Sequence, residues 1–105
     1  MKVQDFKVGC GFIVEGFSFA SLCNCLAEYP GVIFTDRRRF FWGAGDIRGE
    51  FMFHGHAFKI DPWDLDDSIF VYPKEKGMGC PEPIESCPEL VEIRDHVAQY
   101  CLKHP

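Results

Sequence analysis

The sequence predicts an α+β fold: an antiparallel β-meander of about five strands with two helices packed on one face, in the order β-α-β-β-β-β-β-α. The middle of the chain carries short apolar runs separated by turn residues. These separations are too short for crossover helices, so neighbouring strands must be antiparallel. Two segments nearer the ends space their apolar residues as helices do. Eleven phenylalanines in 105 residues supply large rings for the core of one domain over residues 1–105.

The first strand and the first helix are predicted near the N-terminal end. Residues 6–14 alternate loosely, with two glycines inside, and predict a short strand with a weak or bulged middle. Ser18 is a suitable N-cap for a helix over 19–28, because its hydroxyl can accept from a backbone N–H of the first turn. Pro30 and Gly31 end this helix. The helix contains one acid and no base, so we expect much of it to be covered.

Five short strands are predicted between the two helices, at residues 32–34, 40–42, 50–53, 57–60 and 69–72. Polar or glycine-rich turns separate the first four of them, at 36–39, 43–46 and 54–56. Pro62 and Pro73 end the last two strands, because proline has no N–H to donate to a ladder. The proline-rich segment 73–88 predicts an irregular surface loop.

The last helix has the strongest signature in the sequence. Ser86 and Glu89 fit a capping box, and Pro88 suits the first turn. Acids crowd the start and bases lie toward the end, as the helix dipole favours. Both helices need an apolar surface to cover, which places them on one face of the sheet. The apolar stripe of the last helix is formed by Leu90, Ile93, Val97 and Cys101.

The charge is unevenly distributed along the chain. The net charge is −5, and residues 61–95 hold ten acids against three bases, whereas residues 1–60 are close to neutral. An acidic surface repels the phosphates of nucleic acids and attracts a basic protein, whose encounter it accelerates. No apolar run is long enough to span a membrane. We therefore expect a protein partner of basic character, and neither nucleic acid nor membrane.

Six cysteines are present, and the N-terminal residues lack the basic and apolar regions of an export signal. We therefore expect a cytoplasmic protein whose thiols are mostly reduced and serve as small buried apolar groups. Disulfides or a metal site stay alternatives, for example at Cys80 and Cys87 beside the proline-rich loop. Cys23 is expected in the core and Cys25 at its margin, because residues i and i+2 of a helix point apart.

The predicted binding surface combines acids with large aromatic rings. Residues 61–67 are densely acidic around one tryptophan, a residue enriched at binding hot spots. The spacing of these acids does not match a calcium-binding EF-hand loop, and a solvated connection is the alternative. The rings at 40–42 follow three arginines, a pattern also typical of nucleic-acid binding, which the overall acidity disfavours. The predicted binding residues are Trp63, Asp64, Asp66, Asp67 and Trp42.

His54 and His56 are the candidate metal ligands. Alternate residues of a strand point to the same side, so the two imidazoles can reach one ion. A zinc site usually has four ligands, or three and a water, so the others would have to come from elsewhere, for instance from a cysteine. The alternative is a polar hairpin tip in which Gly55 supplies a positive φ.

No catalytic motif is present: the sequence has no Gly-x-Ser-x-Gly, no phosphate-binding glycine loop and no His-Glu-x-x-His. We therefore expect a non-enzymatic protein-binding domain, regulatory or immunity-like, of the bacterial cytoplasm, without a cofactor. Two alternatives stay open: a metal-binding or thiol-dependent domain that uses His54, His56 and cysteines, and a small enzyme with an unrecognised site. Two helices leave one sheet face uncovered, so a homodimer is expected as an alternative to a monomer.

Overall fold

The structure is a computed structural model that describes residues 2–6, 9–38, 48–63, 68–77 and 81–103. These residues form six strands, two α-helices and a short 3-10 turn at Ile84–Ser86. The strands are β1 (Lys2–Asp5), β2 (Phe12–Glu15), β3 (Val32–Arg38), β4 (Arg48–Phe53), β5 (His56–Trp63) and β6 (Ser68–Pro73). The α-helices are α1 (Phe19–Ala27) and α2 (Pro88–Lys103).

All six strands join one antiparallel sheet in the order β1-β2-β6-β5-β4-β3. Strands β3 to β6 form the predicted meander, in which each strand pairs with the next along the chain. The N-terminal hairpin of β1 and β2 then adds to the free side of β6, where Val14 lies opposite Ile69. The α+β fold class is confirmed, with six described strands rather than about five.

One face of the sheet carries the core, and both helices cover it, as predicted. Alternate residues along each strand point to this side, so the buried positions follow a period of two. Burying one phenylalanine or leucine side chain contributes roughly 1.5–3 kcal/mol, which makes this covered face a major source of stability. The opposite side is called the open face below. Fully buried large side chains are Phe12, Val14, Phe51, Phe53, Phe58, Ile60 and Val71 from the sheet, and Leu22, Leu26, Leu90, Ile93 and Val97 from the helices.

The predicted first strand over 6–14 is wrong in extent, because the chain forms a hairpin there. β1 precedes this segment and β2 takes only its end, with Asp5 lying opposite Phe12. Gly9, in the connection, has φ 123°, a conformation that residues with a side chain rarely adopt. The two glycines that indicated a weak strand therefore mark the connection between two strands.

Two boundaries in the meander also differ from the prediction. The expected turn at 36–39 lies partly inside β3, which continues to Arg38 after a register shift between Phe34 and Asp36. β5 likewise continues past Pro62. Pro62 lies opposite Ile69 of β6, so the proline is inside the strand instead of ending it. The predicted strand at 40–42 lies outside the described residues.

Helix α1 begins and ends as predicted. The Ser18 hydroxyl oxygen accepts a hydrogen bond from the Ser21 backbone N–H at 3.1 Å, and Glu28 is the C-cap residue. Both Cys23 and Cys25 are fully buried, so the expectation that Cys25 lies at the margin of the core is wrong. The sheet and α2 both contact α1, and this double cover buries positions that diverge on the helix.

Helix α2 begins one residue later than a Ser86–Glu89 capping box requires. Pro88 is its first residue, and the Cys87 carbonyl oxygen accepts from the Leu90 N–H at 3.0 Å. Ser86 belongs to the 3-10 turn, where its hydroxyl donates to a backbone carbonyl at 2.7 Å. The capping-box prediction is therefore wrong. Cys87 occupies the N-cap position, which brings a thiol to the positive end of a helix dipole.

Candidate functional site

A shallow acidic cleft, called the Tyr29 cleft below, lies between the residues that follow α1 and the middle of α2. Its volume is about 170 Å³. The rings of Tyr29 and His96 lie side by side in it, with centroids 4.4 Å apart and planes inclined at 40°. The cleft therefore presents aromatic surface to a ligand. Its lining residues are Tyr29, Glu92, Asp95, His96 and Gln99.

Hydrogen bonds hold both rings of the Tyr29 cleft in place. The Tyr29 hydroxyl donates to Glu92 Oε1 at 2.7 Å, and this bond raises the pKa of Tyr29. His96 Nε2 lies 2.8 Å from the Cys25 carbonyl oxygen. A carbonyl oxygen only accepts, so Nε2 is the protonated nitrogen. That carbonyl belongs to the last turn of α1, so His96 also satisfies an acceptor that the helix end leaves unpaired.

The charge around the Tyr29 cleft is mainly negative. Both Glu92 and Asp95 are exposed. Arg94 lies between two carboxylates, with distances of 2.9 Å to Asp5 Oδ2 and 3.0 Å to Asp95 Oδ1. The partner of Glu92 in this cleft is a neutral phenol, so that contact leaves the negative charge of Glu92 in place. Carboxylate oxygens beside aromatic faces form a combination that attracts cations.

A second cavity, the Cys87 cavity, opens between the β4–β5 hairpin, the end of β6 and the start of α2. Its volume is about 150 Å³. Buried Phe58 and Pro73 contribute apolar surface, while the other residues are mostly polar. The other lining residues are His56, Ala57, Glu75, Lys76, Ser86, Cys87 and Glu89.

Glu89 connects two reactive groups of the Cys87 cavity. Its Oε1 lies 3.5 Å from His56 Nε2, and its Oε2 lies 3.7 Å from the Cys87 sulfur. Burial raises the pKa of the Cys87 thiol, and the negative charge of Glu89 raises it further, against an opposing hydrogen bond from the Leu90 N–H. The thiol is therefore protonated at neutral pH and donates to the carboxylate.

Lys76 and Ser86 add a second polar group to the lining of the Cys87 cavity. The Lys76 ammonium forms an ion pair with Glu82, which lowers the pKa of that carboxyl. Its Nζ also lies 3.3 Å from the Ser86 hydroxyl oxygen. The cavity thus combines a carboxylate–imidazole pair with an ammonium–hydroxyl pair.

The predicted acidic and aromatic binding residues fall mostly outside the part of the chain that the structure describes. Asp64, Asp66, Asp67 and Trp42 are not among the described residues. Trp63 is the last residue of β5, and its side chain is likewise not described. A binding role for these five residues stays a prediction.

His54 and Gly55 form the tip of the β4–β5 hairpin, as the alternative interpretation predicted. Both have positive φ, 51° and 81°, which is the pattern of a type I′ turn. The His54 ring packs on Phe53 with centroids 4.0 Å apart, whereas His56 faces Glu89. Within the described ranges, no group of three or more Cys, His, Asp or Glu side chains is arranged to hold a metal ion. A metal-binding role for His54 and His56 stays a prediction.

The five cysteines within the described residues are thiols rather than disulfides, and all five are buried. Burial raises the pKa of Cys25 to about 12, and the nearby Cys101 adds to this effect. Cys80 lies outside the described residues, and Cys87, its predicted alternative disulfide partner, is a free thiol. The expectation of structural, reduced thiols fits these five residues.

Polar and apolar groups share the open face of the sheet. The Tyr72 hydroxyl donates to Asp61, and Tyr72 is only 7% exposed. The Phe6 ring packs edge-on against Phe70, with centroids 5.8 Å apart. Ile33 in the edge strand β3 is 65% exposed. The homodimer stays a prediction, and exposed Ile33 is a residue of this face at which it can be tested.

The residues of the Tyr29 cleft were missed by sequence reasoning. Neither Tyr29 nor His96 was predicted to be a binding residue. Glu92, Asp95 and Gln99 follow a spacing of three and four residues, which places them on one side of α2. This spacing could have predicted a polar, mostly acidic side of α2, but it does not show which aromatic ring lies beside that side.

No protein-family model matches the sequence, and neither a curated protein nor a solved structure matches the chain. Neither of the two helices in the described residues is long and apolar enough to cross a membrane. The chemistry of the two cavities is therefore the basis for a functional assignment.

Proposed function

We propose that this domain binds a basic protein partner through the acidic side of α2, with the Tyr29 cleft as the centre of the interface. The observation that supports this proposal best is the position of the Glu92 carboxylate. It is exposed, it keeps its negative charge, and it lies beside the adjacent rings of Tyr29 and His96. The proposed surface is acidic and aromatic, as the sequence predicted, but it lies along α2 and not at residues 61–67.

An arginine or lysine side chain of the partner is the ligand that fits the Tyr29 cleft. A guanidinium can hydrogen-bond a carboxylate while its flat face lies on an aromatic ring. The volume of about 170 Å³ suits the end of one such side chain rather than a large organic ligand. The proposed role is recognition without catalysis.

The surroundings of the cleft support a protein partner over a nucleic acid. Exposed acids continue along the chain at Glu82 and Glu85, ahead of Glu92 and Asp95. Such a surface repels phosphates and increases the association rate of a basic protein. We place this function in the cytoplasm, where buried cysteines such as these stay reduced.

Binding to short cationic peptides tests the proposed function. The probes are fluorescent peptides rich in arginine and lysine, with acidic peptides of equal length and a DNA duplex as comparison ligands. Fluorescence anisotropy at low and at physiological salt gives the Kd. We expect binding of the cationic peptides alone, weakened by salt.

Matched variants assign the binding to the Tyr29 cleft. Glu92→Gln combined with Asp95→Asn is expected to weaken peptide binding about tenfold. Glu85→Gln removes an exposed charge outside the cleft, and we expect a change of about twofold or less. Equal losses in both variants, or tighter binding of DNA than of cationic peptides, would contradict the proposal.

A further inference from the structure

Two of the described thiols reach the surface, and they differ in their surroundings. Cys87 is 9% exposed and Cys101 is 8% exposed, whereas Cys10, Cys23 and Cys25 are fully buried. Each of the first two lines a cavity of its own. Cys87 and Cys101 are similarly exposed but have different neighbours, so their reactivities can be compared directly.

The Cys101 thiol lies among apolar groups. Its cavity has a volume of about 230 Å³ and is otherwise lined by Val3, Ala98 and Leu102. Burial raises the pKa of Cys101, as it does that of Cys87. No charged side chain is among the lining residues described for this cavity. Cys101 therefore serves as a reference: a nearly buried thiol in a cavity whose described lining residues carry no charge.

The Cys87 thiol, in contrast, lies beside charged groups that face one small cavity. The Glu89 carboxylate is 3.7 Å from the sulfur and also faces His56, and Glu75 and Lys76 line the same cavity. The Lys76 ammonium is engaged by Glu82. A positively charged ligand group that pairs with Glu89 removes the repulsion between that carboxylate and a thiolate at Cys87. A cationic group beside Glu89 would therefore ease ionisation of the Cys87 thiol.

From this arrangement we infer that Cys87 is a site of thiol–disulfide exchange with small, positively charged disulfides of the aminothiol class. The ligand's ammonium pairs with the Glu89 carboxylate, and its sulfur reaches the Cys87 sulfur in the same cavity. The cavity volume of about 150 Å³ admits a chain of a few heavy atoms and excludes a large peptide disulfide. This site is separate from the Tyr29 cleft and does not depend on the function proposed there.

The exchange balances without another reactant. The Cys87 thiol loses its proton, and its sulfur attacks one sulfur of the ligand disulfide. A new S–S bond forms between Cys87 and half of the ligand, and the ligand's S–S bond breaks. The departing half leaves as a thiolate and takes up a proton to become a thiol. The ligand disulfide is the oxidant, and a free thiol in excess reverses the reaction.

Three disulfides of similar length and different charge test this inference. The probes are cystamine, which is cationic, bis(2-hydroxyethyl) disulfide, which is neutral, and dithiodiglycolate, which is anionic. All proteins in this experiment carry Cys80→Ser, so that their remaining cysteines are the five within the described residues. Peptide mapping by mass spectrometry gives the rates at Cys87 and at Cys101. The ratio of these two rates for each probe cancels the intrinsic reactivity of that probe.

We expect the ratio of Cys87 to Cys101 modification to be about tenfold higher with cystamine than with the neutral probe, and lowest with dithiodiglycolate. Glu89→Gln is expected to remove most of this charge preference. Glu75→Gln, a matched neutralisation farther along the cavity wall, is expected to reduce it less. Circular dichroism confirms that each variant is folded before its rates are compared.

Three outcomes would overturn the inference. One is a Cys87 to Cys101 ratio that does not depend on probe charge. Another is a charge preference that persists in Glu89→Gln. The third is the absence of Cys87 modification in the folded protein under conditions in which the urea-unfolded protein reacts.

Discussion

The covered face and the open face are built from the same strands, yet different interactions stabilise them. On the covered face, Phe51 and Phe58 lie opposite each other across β4 and β5, with ring centroids 5.4 Å apart and no exposure. On the open face, a neighbouring pair brings Glu50 opposite Lys59. The period of two along each strand places these two pairs on opposite faces of the sheet.

The open face replaces apolar burial with hydrogen bonds and ion pairs. Tyr72 donates to Asp61 across β5 and β6, and Lys74 lies 3.1 Å from Glu50. Gln4 donates to Glu15 at 3.0 Å at the other end of the sheet. Such contacts contribute less free energy per side chain than a buried ring and respond to pH or salt. Stability is therefore concentrated on one face, while sensitivity to solution conditions is concentrated on the other.

The largest expected effect comes from deleting one ring on each face. Phe58→Ala removes a fully buried ring from the covered face, and we expect a loss of about 3–5 kcal/mol in the free energy of unfolding. Phe70→Ala removes a half-buried ring that packs edge-on against Phe6, and we expect a loss of about 1–2 kcal/mol. Urea denaturation followed by circular dichroism measures both. Equal losses would mean that the open face is as much a core as the covered one.

A smaller effect is expected from Tyr72→Phe, which removes the hydroxyl that donates to Asp61. At pH 8 the loss should be about 1 kcal/mol, the usual net contribution of one hydrogen bond. Burial and the bond to Asp61 raise the pKa of Tyr72 above the value of about 10 in the unfolded chain. Its contribution is therefore complete below pH 10 and declines as the pH rises toward the folded-state pKa.

The comparison between Tyr72→Phe and the parent protein isolates this pH dependence. The buried thiols also have raised pKa values, and they lower the stability at alkaline pH in both proteins. The free energy of unfolding of the variant should therefore fall less steeply than that of the parent between pH 9 and pH 11. A parallel decline in the two proteins would rule out a raised pKa for Tyr72.

The smallest expected effect is that of Ile33→Thr in the edge strand of the open face. Ile33 is 65% exposed, so we expect the free energy of unfolding to change by about 0.5 kcal/mol or less. The same variant tests the homodimer prediction by light scattering at two protein concentrations. A dimer that uses the Ile33 edge would dissociate in the variant, whereas a monomer would show no change in mass.

Local features of the sequence were sufficient to predict the helices and most of the meander. Ser18 and the apolar spacing of α1 mark a helix without reference to the rest of the chain, and the two-residue tip at His54 and Gly55 marks a hairpin. The N-terminal hairpin was not predicted, because Gly9 and Gly11 are equally consistent with a bulged strand. The Ser86–Glu89 pattern was misleading because the preceding 3-10 turn already uses the Ser86 hydroxyl.

The candidate sites depend on contacts between residues that are far apart in sequence. Tyr29 and Glu92 are separated by 63 positions, and their hydrogen bond exists only because α1 and α2 pack on the same face. The Cys87 cavity likewise requires the β4–β5 hairpin to approach the start of α2. Periodicity predicts which side of an element is buried, but it does not show which two elements meet. The acids of α2 were therefore visible in the sequence, whereas their aromatic neighbours were not.

The position of β2 beside β6 has a consequence for the order in which the chain is assembled. Val14 lies opposite Ile69, so the N-terminal hairpin has left the ribosome long before its partner strand is synthesised. The meander from β3 to β6 needs only contacts between successive strands and can form as each one emerges. β6 therefore has an unpaired edge until the N-terminal hairpin pairs with it. The six-stranded sheet is complete only after that hairpin, which is synthesised before β3 to β6, has docked on β6.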